Sequence, residues 1–122
     1  MNVVVSSGWL EYFADGPNAD FFAPAVENVS DLIVPSISLY EVFKRVLQQR
    51  GETEALQAVA VMQQGAVVVL DATVALEAKL SVDPGLPMAD SVMLATANAH
   101  SATLWTQDAD FRAVEGVEYV EK

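Results

Sequence analysis

The sequence predicts an α/β fold in which a mainly parallel sheet of four or five strands carries helices on both of its faces. Short, apolar, β-branched runs alternate along the chain with longer stretches of helical periodicity. The connections between these segments are short, and strands that alternate with helices in this way usually form a parallel sheet. The 122 residues suffice for one such unit and are too few for two ordinary cores, so we expect a single domain over residues 1–122.

Five apolar runs are typical of strands buried in a parallel sheet. They cover residues 2–5, 32–34, 66–70, 103–105 and 117–120. The segment Ser6-Ser7-Gly8 predicts a turn after the first run, and Pro35 ends the second. Because sites in open parallel sheets form at the carboxyl ends of the strands, the residues that follow each run are the first candidates for chemistry.

Six stretches have apolar residues at the spacing of a helix. They cover residues 9–14, 19–28, 36–50, 52–64, 73–82 and 88–100. Pro24 weakens the second of these predictions, because proline disturbs a helix interior. The third helix has Ser36 or Ser38 as its cap, and Ser38 followed by Glu41 fits a capping box.

The composition limits the classes of function. Seventeen acidic residues stand against six basic ones, and the formal net charge of −11 argues against a general nucleic-acid binder unless a partner or a cation offsets the repulsion. The absence of cysteine excludes disulfides, thiolate zinc sites and cysteine nucleophiles.

With no signal-peptide pattern and no long apolar run, we expect a cytoplasmic protein. For the cluster Lys44, Arg45 and Arg50, a solvated helix face is favoured over an RNA contact.

Three carboxylates lie where a site is expected. Glu41 follows the second predicted strand, Asp90 lies in the segment 87–91, and Asp108 follows the fourth strand. Carboxylates that converge at one end of a sheet repel one another unless a cation joins them, and hard oxygen ligands select magnesium or manganese. Such a site would serve phosphodiester hydrolysis by activating water. The single histidine, His100, lies near a helix end, where a structural role is favoured.

Each carboxylate also has a purely structural interpretation. Glu41 could complete the capping box, and Asp90 could cap a helix that begins at Ser91. Asp108 could form an Asx-turn within residues 106–110. The spacing of these residues leaves both interpretations open.

Four short motifs run through nearly the whole chain. They are Val3-Val4-x-Ser6-Ser7-Gly8-Trp9-Leu10, Val34-Pro35-Ser36-Ile37-Ser38-Leu39-Tyr40-Glu41-Val42, Leu86-Pro87-Met88-Ala89-Asp90-Ser91 and Leu104-Trp105-Thr106-Gln107-Asp108-Ala109-Asp110-Phe111. Together they resemble the PIN domain, specifically that of bacterial VapC toxins. The resemblance implies a PIN-like three-layer fold and a magnesium-dependent endoribonuclease, with manganese as an alternative ion.

The same resemblance implies partners and site residues. The protein would be the toxin of a type II toxin–antitoxin pair, silenced by a cognate VapB-type antitoxin, commonly homodimeric, and directed at transfer RNA or other structured RNA. Glu41, Asp90 and Asp108 would be the catalytic, metal-binding carboxylates, with Asp110 as an auxiliary ligand. Ser6 and Thr106 match the small polar residues that support them.

Position 5 departs from the family pattern, which has an aspartate immediately before Ser6-Ser7. This chain has Val5, which offers no oxygen to a metal ion and extends the apolar strand. We therefore expect the metal site to be one ligand short and the chain to be a poor nuclease. Two explanations compete: a detoxified variant, favoured because the other acidic motifs are intact, and a natural homologue that has lost catalysis.

A second class of function is a catalytically dead PIN-fold binding protein that only engages its antitoxin. In that case an arginine of the partner could pair with Glu41, Asp90 or Asp108, which would hold the complex and block the metal.

Overall fold

The strands of the protein form one parallel sheet. The computed structural model describes residues 1–80 and 85–122, and the strands within them are β1 (Asn2–Val4), β2 (Leu32–Pro35), β3 (Ala66–Val68), β4 (Thr103–Thr106) and β5 (Val117–Tyr119). Their order across the sheet is β3-β2-β1-β4-β5, and every neighbouring pair is parallel. The predicted fold class is confirmed, and β1 lies at the centre of the sheet, where the chain crosses over between the two halves.

Helices cover both faces of the sheet. Those of the described residues are α1 (Ser6–Phe13), α2 (Ala19–Glu27), α3 (Ser36–Arg50), α4 (Glu52–Met62), α5 (Ala72–Leu80) and α6 (Met88–Ala99). None of them has both the length and the apolar character needed to cross a membrane. The end of the predicted fifth helix, at residues 81 and 82, falls outside the described residues.

The sheet separates two apolar layers because successive side chains of a strand point to opposite faces. Val3 and Val5 pack with Met93 and the other core residues of α5 and α6, whereas Val4 packs with Trp9 of α1 and its neighbours. The result is the three-layer arrangement that the sequence predicted.

α1 lies close to β1 because Gly8 has no side chain. A Cβ atom at Gly8 would lie 2.7 Å from Cε1 of Phe22 and 2.8 Å from Cγ1 of Val4, so a larger residue would force α1 away from the strand. This contact fixes the segment that joins β1 to α1, where the candidate site begins.

The start of α1 differs from the prediction. Ser6-Ser7-Gly8 was expected to be a turn, but Ser6 is the first residue of α1. The carbonyl of Val5 accepts hydrogen bonds from the amides of Gly8 and Trp9, so the chain passes from strand to helix with Val5 as the N-cap. Residues that favour turns also favour helix starts, and here tertiary packing selects the helix.

Two predicted helix caps were also wrong. α3 begins at Ser36 after Pro35, and the capping box between Ser38 and Glu41 does not form, because both side chains bond to groups outside the helix. α6 begins at Met88, so Asp90 lies within its first turn and does not cap a helix at Ser91. Both carboxylates are thereby free of capping roles.

Candidate metal centre

Three aspartates meet at the carboxyl end of the sheet. Asp90 is carried by the first turn of α6, Asp108 follows β4, and Asp110 lies in a short 3-10 helix, Ala109–Phe111. One carboxylate oxygen from each lies within 4.8 Å of the others, with Asp90 and Asp108 half-buried and Asp110 exposed. Residues separated by 18 positions in sequence are thus brought together at one point.

The Asp108 segment is shaped by two local hydrogen bonds. The amide of Asp108 donates to Oγ1 of Thr106 at 3.0 Å, and the amide of Asp110 donates to Oδ1 of Asp108 at 3.3 Å. The second bond is the predicted Asx-turn. Asp108 makes this bond and also belongs to the acidic cluster, so the Asx-turn and a place in the cluster are compatible roles for it.

Glu41 approaches the cluster from α3. The hydroxyl of Ser6 donates to Oε1 of Glu41 at 2.7 Å, which ties the start of α1 to the first half of α3. Glu41 is not one of the three carboxylates that share the 4.8 Å separation, yet its charge acts on Asp90. It therefore lies beside the aspartate cluster.

A methionine sulfur lies beneath this region. Sδ of Met93, a fully buried residue of α6, accepts a hydrogen bond from the hydroxyl of Ser38 at 3.3 Å and lies 3.7 Å from Oγ of Ser6, whose proton is donated to Glu41. Sulfur is a weak acceptor, so these contacts mainly fix α6 against α1 and α3. The sequence offered no signal for them because they depend on how three helices approach one another.

The electrostatic effect of the cluster appears at Asp90. Burial and the negative charges of Asp108 and Glu41 raise the pKa of Asp90 to about 6, with further contributions from a hydrogen bond to Asp108 and from the charge of Asp110. Removal from water and like charges both disfavour the carboxylate form. The site is therefore short of positive charge.

Positive side chains do not neutralise the cluster within residues 1–80 and 85–122. The ion pairs seen there are Arg50 with Glu54 at 3.4 Å and Arg112 with Glu121 at 2.7 Å, and neither includes a carboxylate of the cluster. Three carboxylate oxygens in this arrangement suit a hard divalent cation such as Mg²⁺ or Mn²⁺. The residues present fit a metal ion on the side of α6 and β4.

The residue at the end of β1 offers no ligand for a metal ion. Val5 follows the last residue of β1, its amide donates to the carbonyl of Trp105 at 3.1 Å, and its side chain is only 2% exposed within the apolar layer that includes Met93. An aspartate here would stand beside Ser6 at the same end of the sheet. Valine contributes packing and no ligand atom.

A groove is lined in part by Gln107, the residue before Asp108. It has a volume of about 680 Å³ between α1, α3 and α4, with apolar side chains such as Leu10, Phe13 and Val61 in its lining. Arg45 and Arg50 also line it, whereas Lys44 lies within 5.9 Å of the ring centre of Tyr40. All three basic side chains are exposed on α3, and His100 is the exposed C-cap of α6.

With this fold and this acidic cluster, the chain belongs to the PIN domain family, whose model matches residues 3–117. Family membership supports a nuclease that uses a divalent metal. No curated protein sequence matches the chain.

Solved structures of toxin–antitoxin systems share the fold. A toxin-antitoxin complex from Klebsiella pneumoniae is 20% identical with a TM-score of 0.77, and the match covers 96% of this chain and 95% of that one. VapC20 from Mycobacterium tuberculosis, a Sarcin-Ricin loop cleaving toxin, is 16% identical with a TM-score of 0.76 over 97% and 98% of the two chains. VapBC2 from Rickettsia felis, bound to a promoter DNA fragment, is 12% identical with a TM-score of 0.70 over 98% and 97%. The resemblance to VapC-type PIN domains is confirmed at the level of family and fold.

Proposed function

We propose that the protein is a magnesium-dependent endoribonuclease, the toxin of a type II toxin–antitoxin pair, whose activity is weakened by Val5. The observation that carries this proposal is the group of Asp90, Asp108 and Asp110, with oxygens within 4.8 Å of one another at the carboxyl end of a parallel sheet. PIN membership supports the nuclease chemistry, and the toxin–antitoxin systems that share the fold support the biological role.

Each carboxylate has a part in this proposal. Asp90, Asp108 and Asp110 would hold Mg²⁺, with Mn²⁺ as an alternative, and the ion would supply an activated water and charge stabilisation at the scissile phosphate. Below about pH 6, where Asp90 would hold a proton, binding of the ion would displace that proton, so metal affinity should fall in acid. Glu41, oriented by Ser6, would add its negative charge beside the ion, and Thr106 would keep Asp108 in place.

Val5 limits what these residues achieve. Its buried methyl groups occupy the end of β1, so the cluster lacks both an oxygen and a negative charge on that side. The remaining carboxylates can retain one ion on the side of α6 and β4. We expect binding of metal to survive and cleavage to be slow.

The groove between α1, α3 and α4 is the place we propose for a VapB-type antitoxin. An amphipathic segment would lay its apolar face on Leu10, Phe13 and Val61, a common mode of peptide recognition. The charge of −11 favours a basic partner, which would also reduce the repulsion between this chain and nucleic acid. Solved structures with the same fold include a toxin–antitoxin complex and a VapBC assembly.

A second candidate function is binding without catalysis. The burial of Val5 favours it, because an apolar residue that is only 2% exposed stands where the family has a ligand. An arginine of the antitoxin could then pair with Asp90 or Asp108 in place of a metal ion.

The nuclease proposal is tested by incubating total transfer RNA and ribosomal RNA with stoichiometric amounts of the chain in Mg²⁺, in Mn²⁺ and in EDTA. We expect slow cleavage that EDTA stops and that Asp108→Asn removes. Glu118→Gln, at an exposed position of β5, serves as the matched control and should leave cleavage unchanged. Absence of cleavage from all forms would favour the binding-only candidate.

The groove is tested with Val61→Glu, which places a charge at a groove position that is 37% exposed. Leu56→Glu on the same helix, at a position that is 52% exposed and outside the groove lining, is the control. Val61→Glu should weaken the complex with the cognate antitoxin by about tenfold or more, since apolar anchors dominate such interfaces. The homodimer remains a prediction that light scattering can check.

A further inference from the structure

The acidic segment after β4 is held at its ends by the strand and by Phe111, which is fully buried in the core, and one side-chain contact between these ends adds a further anchor. Its two local bonds, from the amides of Asp108 and Asp110, join residues only two positions apart and so set its shape without setting its position. Gln107 lies between Thr106 and Asp108, and it is only 7% exposed. Its side chain leaves the segment and reaches another part of the protein.

That contact is made with Asn18. Nδ2 of Asn18 donates to Oε1 of Gln107 at 2.9 Å, across 89 positions of sequence. The same amide group donates to the carbonyl of Glu121 at 3.2 Å, and the backbone amide of Asn18 donates to Oε2 of Glu11 at 2.8 Å. Asn18 thus joins the end of α1, the residue before Asp108 and the end of the chain.

The side chain of Asn18 does not cap the helix that follows it. It is the N-cap residue of α2, a position where asparagine usually accepts a hydrogen bond from the first turn. Here it makes no side-chain capping bond, and its backbone angles, φ −100° and ψ 10°, are not those of a standard cap. A cap contributes about 1 kcal/mol to a helix. The side chain is instead committed to bonds with distant segments.

We infer that Asn18 is a positioning residue, which holds the Asp108–Asp110 segment in register with Asp90 through Gln107. That this placement matters for catalysis rests on the proposed metal site. The hydrogen bond between Asn18 and Gln107 is itself a property of the metal-free chain. Removing the amide should leave the fold intact and loosen the segment that carries two of the three clustered aspartates.

The first test is amide hydrogen exchange of the metal-free chain, followed by mass spectrometry or NMR. Asn18→Ala should reduce the protection of residues 106–112 by about threefold to tenfold, the equivalent of one lost hydrogen bond. Protection in α4 should not change. Asn28→Ala is the matched control, because Asn28 also precedes a helix but its side chain bonds nearby, with Asp31 and Ser30.

The second test is rescue by exchange of the two amides. The double variant Asn18→Gln with Gln107→Asn keeps both groups and the total length of the two side chains. It should restore most of the protection that Asn18→Ala loses, and it should restore the affinity for Mn²⁺, which Asn18→Ala weakens by a similar factor, measured by calorimetry.

The outcomes separate the two claims. Unchanged protection of residues 106–112 in Asn18→Ala, or loss without rescue by the exchanged pair, would overturn the positioning role. A third outcome is that Asn18→Ala reduces the protection, the exchanged pair restores it, and neither the parent chain nor any variant binds Mn²⁺. That result would support the positioning role and contradict the proposed metal site. Unchanged Mn²⁺ affinity in Asn18→Ala, with tight binding by the parent, would show that the restraint does not act on the metal site.

Discussion

The hydroxyl of Ser6 donates a 2.7 Å hydrogen bond to Oε1 of Glu41 and so joins the residue that begins α1 to a carboxylate 35 positions away on α3. This bond occupies the glutamate that the sequence assigned to a capping box. The charge of the same glutamate raises the pKa of Asp90. Substitutions around this contact therefore have measurable consequences for stability and for metal binding.

Ser6→Ala removes this bond and leaves Glu41 without its donor. We expect a loss of about 1 kcal/mol in the free energy of unfolding, measured by urea denaturation, because the carboxylate is half-buried. Ser38→Ala is the control, since Ser38 donates to the sulfur of Met93, a weak acceptor, and should cost less. Equal losses for the two variants would argue against a special role of the Ser6–Glu41 bond.

Asp90 makes the metal-free chain less stable as pH rises. Its pKa is raised from 3.8 to about 6, so between these values the folded chain holds a proton that the unfolded chain has released. The free energy of unfolding should therefore fall as pH rises through this window, with a contribution from Asp90 on the order of 1 kcal/mol after allowance for solvent screening. Asp90→Asn should lose this part of the slope in urea denaturation measured from pH 4 to pH 7. A slope that persists unchanged in the variant would count against the shifted pKa.

Val5→Asp places a carboxylate in an apolar layer beside an acidic cluster. Without metal it should lower the free energy of unfolding by about 2 to 3 kcal/mol through burial of charge and repulsion. Mg²⁺ or Mn²⁺ should restore much of this loss, because the ion binds the folded form. Asparagine has nearly the same shape as aspartate but no charge, so the difference in melting temperature between Val5→Asp and Val5→Asn gives the effect of the charge alone. No response of Val5→Asp to metal would contradict a cation site at the end of β1.

Asp110→Asn tests the exposed member of the cluster. It keeps the backbone bond to Asp108 and removes one negative charge, so affinity for Mn²⁺ should fall by about tenfold, as measured by calorimetry on otherwise unchanged protein. Glu118→Gln removes an equal charge at an exposed site of β5 and should leave affinity unchanged. A similar fall in both variants would indicate a general effect of net charge.

The fold was largely predictable, because buried parallel strands are continuous apolar runs and each one found lies within two residues of its predicted bounds. The start of α1 was not, because Ser6-Ser7-Gly8 suits a turn as well as a helix and packing against Phe22 decides between them. The predicted helix caps were wrong for a similar reason, because the side chains of Ser38 and Glu41 bond to groups on other helices and not to the local backbone.

The sequence named the three aspartates that meet and also Glu41, which lies beside them, whereas their roles stay a prediction and their supporting contacts were not foreseen. Asp90 and Asp108 follow from their places at strand and helix ends, and the structure brings both together with Asp110. Met93 and Asn18 could not be found, since an apolar helix residue and an asparagine directly before a predicted helix have ordinary explanations. Their side-chain contacts span 55 to 103 positions of sequence and arise only in the folded chain.

The most direct measurement compares RNA cleavage by the parent chain, by Val5→Asp and by Val5→Asp combined with Asp90→Asn, in the presence of Mg²⁺ or Mn²⁺. We predict that Val5→Asp cuts RNA faster than the parent chain by at least about a hundredfold, since a complete metal site stabilises the transition state by several kcal/mol. The double variant should be as slow as the parent or slower. Equal rates for the parent chain and Val5→Asp, on an RNA that the chain does cut, would contradict the claim that position 5 limits this nuclease.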